Sequence, residues 1–260
     1  MWKPLAWAFS GLFARAVYRD GSEAELLQAF FDSDTGVFVE VGANDPIQGS
    51  QSFAFEQRGW TGLLIEPLSE CVDNLRRVRK AKVCAAAAGS PEDEGKELPM
   101  LVAGHLGGLS TLSASNKMMF EGDSTRLVPV RTLDSMLAEA GIEAIDFLSI
   151  DVEGHEIDVL RGFSIERHQP RLILLEDDVH TRSKHAYLTA RGYVLVRRTN
   201  LNNWYVRKPA RLAISLFGRW QLFRKMRLGV PIRRLRYAIW ARRKQAERAR
   251  LSDRTATFGD

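Results

Sequence analysis

Cysteine is scarce: Cys71 and Cys84 are the only two in 260 residues, too few for a disulfide scaffold. No Cys/His grouping has the spacing of a zinc site, and the expectation is no metal. So little cysteine suits a reducing compartment. Long apolar runs are missing as well. No stretch of ~18–20 uninterrupted apolar residues occurs, which excludes a conventional membrane span. Glycine is sparse where a phosphate cradle would need it. After the first apolar run only Gly42 precedes Pro46, so a GxGxxG turn aimed at a pyrophosphate is absent. Acidic residues nearly vanish from one region: Arg207 to Arg250 holds 15 Lys and Arg against Glu247 alone, a balance of +14. Met1 to Val206 holds 21 Lys and Arg against 29 Asp and Glu, a balance of −8. An acidic body carries a basic tail, and the net charge of +5 describes neither part.

What is present suffices for one sizeable core, with 45% apolar and 27% charged residues. Residues 1–21 combine Trp2, Trp7, Phe9, Leu12 and Phe13 with a few cations, which predicts an interfacial or packing helix rather than a cleaved signal. Residues 22–206 read as the folded domain, 207–250 as a basic helical extension and 251–260 as a tail. Within the domain, helical patterns at Glu23–Phe31, Ser52–Arg58, Leu68–Lys80, Asp134–Ala140 and Lys184–Ala190 alternate with apolar strand runs. The strand runs are VFVEV, GLLIEP, KVCAAAAG, IDFLSID and RLILLE, and GYVLVRR and NNWYVR close the domain as an antiparallel pair. Such alternation predicts an α/β, mostly parallel sheet covered on both faces.

Open α/β sheets bind ligands at the carboxyl ends of their strands, so the strand-end residues come first. Glu40, Gly42 and Asn44 end the first run: glycine permits close backbone approach, and the acid suits an ammonium group. Glu66 ends the second, where a carboxylate suits two ribose hydroxyls. Together they predict a nucleoside ligand without phosphate and with a cationic arm, a description S-adenosylmethionine fits better than NAD or ATP. Asp151, Glu153 and Glu156 cluster after the fourth run and could hold a divalent cation, serve as a general base, or favour a helix dipole. Asp151 is the first candidate base, with His155, His105 and His180 behind it. The loop AGHLGGLSTL and the acids Glu176, Asp177 and Asp178 could border an acceptor.

The segments FVEVGAND, GWTGLLIEP, VRTLDSML, IDFLSIDVEGHEIDVLRGF and PRLILLE, in that order, resemble the FkbM family of S-adenosylmethionine-dependent methyltransferases over roughly Val37 to Val206. The resemblance implies a class I methyltransferase (Rossmann-like) sheet of seven strands with the last antiparallel. It implies that Glu40, Gly42 and Asn44 line the methionine end of S-adenosylmethionine and that Glu66 takes the ribose hydroxyls. Ala86 to Ala88 would lie near the adenine, and Asp151 between cofactor and acceptor. It also implies transfer to a hydroxyl oxygen, commonly of a sugar or natural product. Ser149 stands where many members carry lysine, and Pro46 where a glycine is usual.

The tail interleaves cations with Phe217, Trp220, Phe223, Met226, Tyr237 and Trp240, and Gly229-Val230-Pro231 predicts a break between two helices. An anionic membrane surface is the favoured partner for residues 207–250, ahead of docking on the protein's own acidic body and of nucleic acid. The expectation is therefore a cytoplasmic O-methyltransferase, peripheral at the inner membrane face, acting on a sugar, glycan or lipid-linked glycan. A noncatalytic nucleoside-binding scaffold is the alternative, followed by an RNA methyltransferase.

Overall fold

The computed structural model describes residues 22–103, 110–112, 124–177, 181–199, 201–208, 216–236, 238–239 and 242–243. In chain order its elements begin with α1 (Glu23–Phe30), β1 (Val37–Val41), α2 (Phe53–Gln57), β2 (Thr61–Ile65), α3 (Ser69–Val78), β3 (Lys82–Cys84), β4 (Ala87–Gly89), β5 (Glu97–Val102) and β6 (Ser124–Thr132). They continue with α4 (Leu133–Ala140), β7 (Phe147–Ile150), α5 (Glu156–Arg161), α6 (Ile165–His168), β8 (Leu172–Glu176), α7 (Ser183–Ala190), β9 (Tyr193–Thr199), β10 (Asn202–Arg207) and α8 (Leu216–Phe223). Local chemistry sets several ends. Ser22 and Glu25 form a reciprocal capping box on α1, and Thr132 caps α4, which stops at Gly141 in the left-handed region.

Seven strands make one sheet in the order β3-β2-β1-β7-β8-β10-β9. All neighbours are parallel except β10, which runs antiparallel to both β8 and β9. The seven-stranded, mostly parallel sheet expected from the resemblance is thus present, with its last strand antiparallel. Its central strands β1, β2, β7 and β8 are buried on both faces, which explains their near-continuous apolar runs. Period-two alternation divides the core. Val39, Val41, Leu148 and Ile150 face α4 and α5, whereas Phe38, Phe147 and Leu174 join Phe31, Phe55 and Trp60 on the other side. Glu40 shares the aromatic face, two residues past Phe38.

One expected strand is two. KVCAAAAG splits after Cys84, and Ala87–Gly89 joins a second sheet of order β4-β6-β5. The ladder stops because the backbone N–H of Glu66 takes the Cys84 carbonyl at 3.1 Å, while the next donor on that side, Leu68 N–H, is held by the Glu66 carboxylate at 3.0 Å. β6 then gives the light alanine segment a partner, burying Val128 and Val130 against Ala87, Leu68 and Met100.

The second correction lies in the tail. α8 runs into a π-helical turn, Arg224–Leu228, and the helix continues over 229–236 instead of breaking at Gly229-Val230-Pro231. A proline ring collides with the carbonyl four residues back, here Arg227, and the widened turn sits at that place. Among the described residues, no helix is long and apolar enough to cross a membrane. Residues 1–21 and 251–260, with most of 104–123, lie outside the described residues.

Candidate active site

The chain passes from β1 to β2 to β3 on one side of the sheet and resumes on the other side with β7. The carboxyl ends of β1 and β7 therefore flank a topological switch point, where open α/β sheets bind ligands. A cavity of about 200 Å³ lies there. Glu40, Gly42, Asn44, Glu66, Ala86, Asp151 and His155, scattered over 116 positions of the sequence, all border it.

Gly42 fixes the floor. Its φ is +83°, and a Cβ there would lie 1.9 Å from the Asp151 carbonyl, so only glycine lets the β1 turn pass the end of β7. Asn44 follows with φ 40°, and its backbone N–H donates to Glu66 Oε2 at 3.0 Å. Glu66 Oε1 accepts from Leu68 N–H at 3.0 Å. Each carboxylate oxygen thus takes one backbone donor and retains a lone pair. Burial pushes this carboxyl above its ordinary range, opposed by those two N–H groups.

Glu40 borders the cavity and also holds a loop in place. Its carboxylate accepts from Ser50 Oγ, Ser52 Oγ and Gln51 N–H, anchoring the loop that closes the cavity. Arg79 completes this anchor. It ion-pairs with Glu56 at 2.9 Å, and donates to Pro46 O at 3.1 Å, Ser50 Oγ at 3.1 Å and Ser52 Oγ at 2.8 Å. Nothing in the pattern of α3 distinguished Arg79 from its exposed basic neighbours; only the fold shows it buried. Pro46 therefore does not open the loop, because its carbonyl is tied to Arg79.

At the other wall, Glu153 at φ 51° and Gly154 at φ 96° turn the chain after β7, and Thr111 Oγ1 pins that turn through Glu153 O at 2.7 Å. Asp151 is open to the cavity on one side and walled by protein on the others. Its side chain is hydrogen-bonded with Glu176, and both carboxyls lie above their ordinary range. Burial comes first in each case. For Glu176 the Asp151 and Glu153 charges follow, pushing it up to about 10. Two carboxylates this close titrate as a pair that holds a proton above the ordinary carboxyl range.

The acids expected to cluster here were Asp151, Glu153 and Glu156. The structure gathers Asp151, Glu153 and Glu176 instead, with ligand oxygens all within 4.8 Å of one another, close enough to share a proton or a divalent cation. Glu156 is buried; it accepts from Gly154 N–H at 2.7 Å and pairs with Lys184 at 2.9 Å. Lys184 also reaches Asp177 at 3.2 Å, so Asp177 supports the wall rather than bordering the cavity. His155 borders the cavity with its Nδ1 3.3 Å from Asp158. Ser149 lies buried on β7 at the cavity edge. His105, His180 and Asp178 lie outside the described residues.

The lining is electrostatically one-sided. Glu40, Asp45, Glu66, Asp151 and Glu153 border the cavity, and among the described residues no Lys or Arg does. Cys71 reports the same field: burial, then Glu66, Glu70 and Asp45, push its thiol up to about 12. A site of this sign repels phosphate and attracts a cation.

A mostly parallel sheet of this order, with a glycine turn at the switch point and a carboxylate one strand over, defines a Rossmann-like α/β protein. The family model described as the methyltransferase FkbM domain matches residues 40–195, and the chain belongs to that family. Among solved structures, the chain is similar to methyltransferase FkbM from Methylobacillus flagellatus KT at 17% identity and a TM-score of 0.43. That match covers 66% of this chain and 44% of the other, so this chain spans less than half of that relative's length. It is also similar to a methyltransferase from Geobacter sulfurreducens at 15% identity, with a TM-score of 0.41 and coverage of 72% and 80%. No curated protein matches the chain.

Proposed function

We propose that the protein is an S-adenosylmethionine-dependent O-methyltransferase acting on a hydroxyl of a sugar, glycan or lipid-linked glycan. The observation that carries the reading is the cavity's five bordering carboxylates with no described cation among them. NAD and ATP would bring phosphates into that field. S-adenosylmethionine brings a sulfonium and an ammonium against one carboxylate, and the donor set suits it. Glu66 offers two acceptor positions for the ribose hydroxyls, and Ala86 to Ala88 leave room for a flat ring.

The bound cofactor would supply an already activated methyl group. The chain's own residues then bind, align and deprotonate the acceptor, and alignment of the two reactants supplies roughly 7–11 kcal/mol. The acceptor hydroxyl would be held in line with that methyl group, and its proton would pass to the Asp151 carboxylate. The Asp151/Glu176 pair suits this step, because a carboxylate raised above its ordinary range is a better base near neutral pH.

Calorimetric titration with S-adenosylmethionine and S-adenosylhomocysteine, with NAD as control, tests the cofactor. Transfer of labelled methyl to glycan and lipid extracts tests the acceptor. Asp151→Asn lowers turnover by about 10²–10⁴-fold with little change in cofactor affinity. A folded protein that binds neither ligand would move the assignment to the noncatalytic scaffold.

A further inference from the structure

We infer that the C-terminal helix docks on the anionic face of a lipid membrane, presenting one continuous apolar stripe that its π turn brings into register. The stripe consists of Leu216, Trp220 and Phe223 before the turn and Leu228, Ile232, Leu235 and Ile239 after it, each between 44% and 84% exposed. Steps of three and four residues keep side chains on one face of an α-helix. Every step in this series is three or four except Phe223 to Leu228, which is five. In a regular α-helix a five-residue step would throw the second half of the stripe about 140° around the axis. That step falls within the π turn, where Gly229 N–H donates to Arg224 O, five residues back. The turn absorbs one residue, and the two halves align.

The other edge of the helix is occupied. Met226 and Val230 are buried against Leu195 of β9, and the Arg182 guanidinium donates to Met226 O at 2.7 Å. Docking on the body, one of the options open in the sequence, therefore accounts for one edge and leaves the stripe facing out. An exposed apolar surface of this extent marks an interaction site.

Charge identifies the occupant. A residue adjacent in sequence projects about 100° around the helix, so Arg219, Arg227 and Arg234 stand on one flank of the stripe and Arg224, Arg233 and Arg236 on the other. No acidic residue occurs from Arg207 to Ala246. The cations crowd one another: burial, then Arg198, Arg233 and Arg224, pull the Lys225 ammonium down to about 8. Large apolar side chains, aromatic at Trp220 and Phe223 and aliphatic beyond them, between two rows of arginine match the acyl boundary and headgroups of an anionic leaflet. A single-stranded nucleic acid would call for aromatics spaced along the basic surface, whereas the described stripe is aromatic only at the adjacent pair Trp220 and Phe223 and aliphatic after it. The inference does not depend on which cofactor the cavity takes.

Flotation of the full chain with vesicles of phosphatidylcholine alone, and with phosphatidylglycerol added, tests it. The protein is expected to float with the anionic vesicles at low salt, to remain dense with the neutral ones, and to be released as salt rises. Arg219→Gln with Arg227→Gln should weaken partitioning by about fivefold per arginine. Trp220→Ser with Leu235→Ser should abolish flotation while leaving thermal unfolding unchanged, since both side chains are exposed. Failure to float with anionic vesicles, equal flotation with neutral ones, or flotation that survives both double variants overturns the proposal. Capture of single-stranded RNA by the same arginines in place of vesicles overturns it too.

Discussion

Glu66→Gln separates a ligand role from a structural one. In the free protein the carboxylate bridges Asn44 N–H and Leu68 N–H, both at 3.0 Å, tying the β1 turn to the start of α3. Glutamine keeps one acceptor and places an amide donor against the second N–H. Losing that hydrogen bond costs about 1–3 kcal/mol, partly offset because the buried charge is also gone. The net change in stability is therefore small, and the variant should fold. Ligand binding should suffer more. A hydrogen bond to a charged group contributes about 1.5–3 kcal/mol, so losing one ribose contact weakens S-adenosylhomocysteine about 10- to 100-fold. The assay is calorimetric titration of both proteins with S-adenosylhomocysteine and its 2′-deoxy counterpart, beside thermal unfolding. The wild type should discriminate between the two ligands, and the variant should discriminate much less. Unchanged affinity and full discrimination in a folded variant would refute the placement of the ribose.

Three further outcomes follow from the same geometry. Gly42→Ala should lower stability well beyond the roughly 1–2 kcal/mol of a left-handed alanine, because its Cβ meets the Asp151 carbonyl at 1.9 Å; urea denaturation reads this, and a loss no larger than the conformational cost would contradict the close approach. Arg79→Met leaves Glu56 buried and unpaired at a cost of about 3–5 kcal/mol, whereas Arg126→Ala at the half-exposed Glu70 pair should cost at most about 1 kcal/mol; comparable denaturation midpoints for the two would contradict the buried anchor. The Asp151/Glu176 pair holds a proton above the ordinary carboxyl range in the folded state, because both groups are buried and close together, while the unfolded chain releases it in that ordinary range. Across that window the native state binds more protons, so stability is greatest at its acid end and falls as pH rises, and Glu176→Gln should flatten the decline measured by urea midpoints.

Much of this molecule was legible in the chain itself. Apolar runs that end in Glu40, Glu66 and Asp151 dictate buried parallel strands with acids at their carboxyl ends, because only a strand covered on both faces keeps such runs out of water. Gly42 was legible only as backbone that something approaches closely, and the sequence pointed to a ligand. The neighbour it admits, the Asp151 carbonyl, is 109 residues away, and only the tertiary fold names it. The same limit applies to Arg79, identical in pattern to the solvated arginines beside it until the fold places Glu56 and the Ser50–Ser52 loop against it. Glu156, expected in the cluster with Asp151, instead pairs with Lys184, and Glu176 takes its place there from the end of β8, through-space contacts with no local signature. Composition announced the basic apolar tail, but spacing in the chain is one-dimensional: the five-residue step after Phe223 reads as a broken stripe until a π turn closes it. Periodicity and strand-end chemistry are local and survive in the sequence, whereas pairings between distant buried charges exist only once the sheet brings them together.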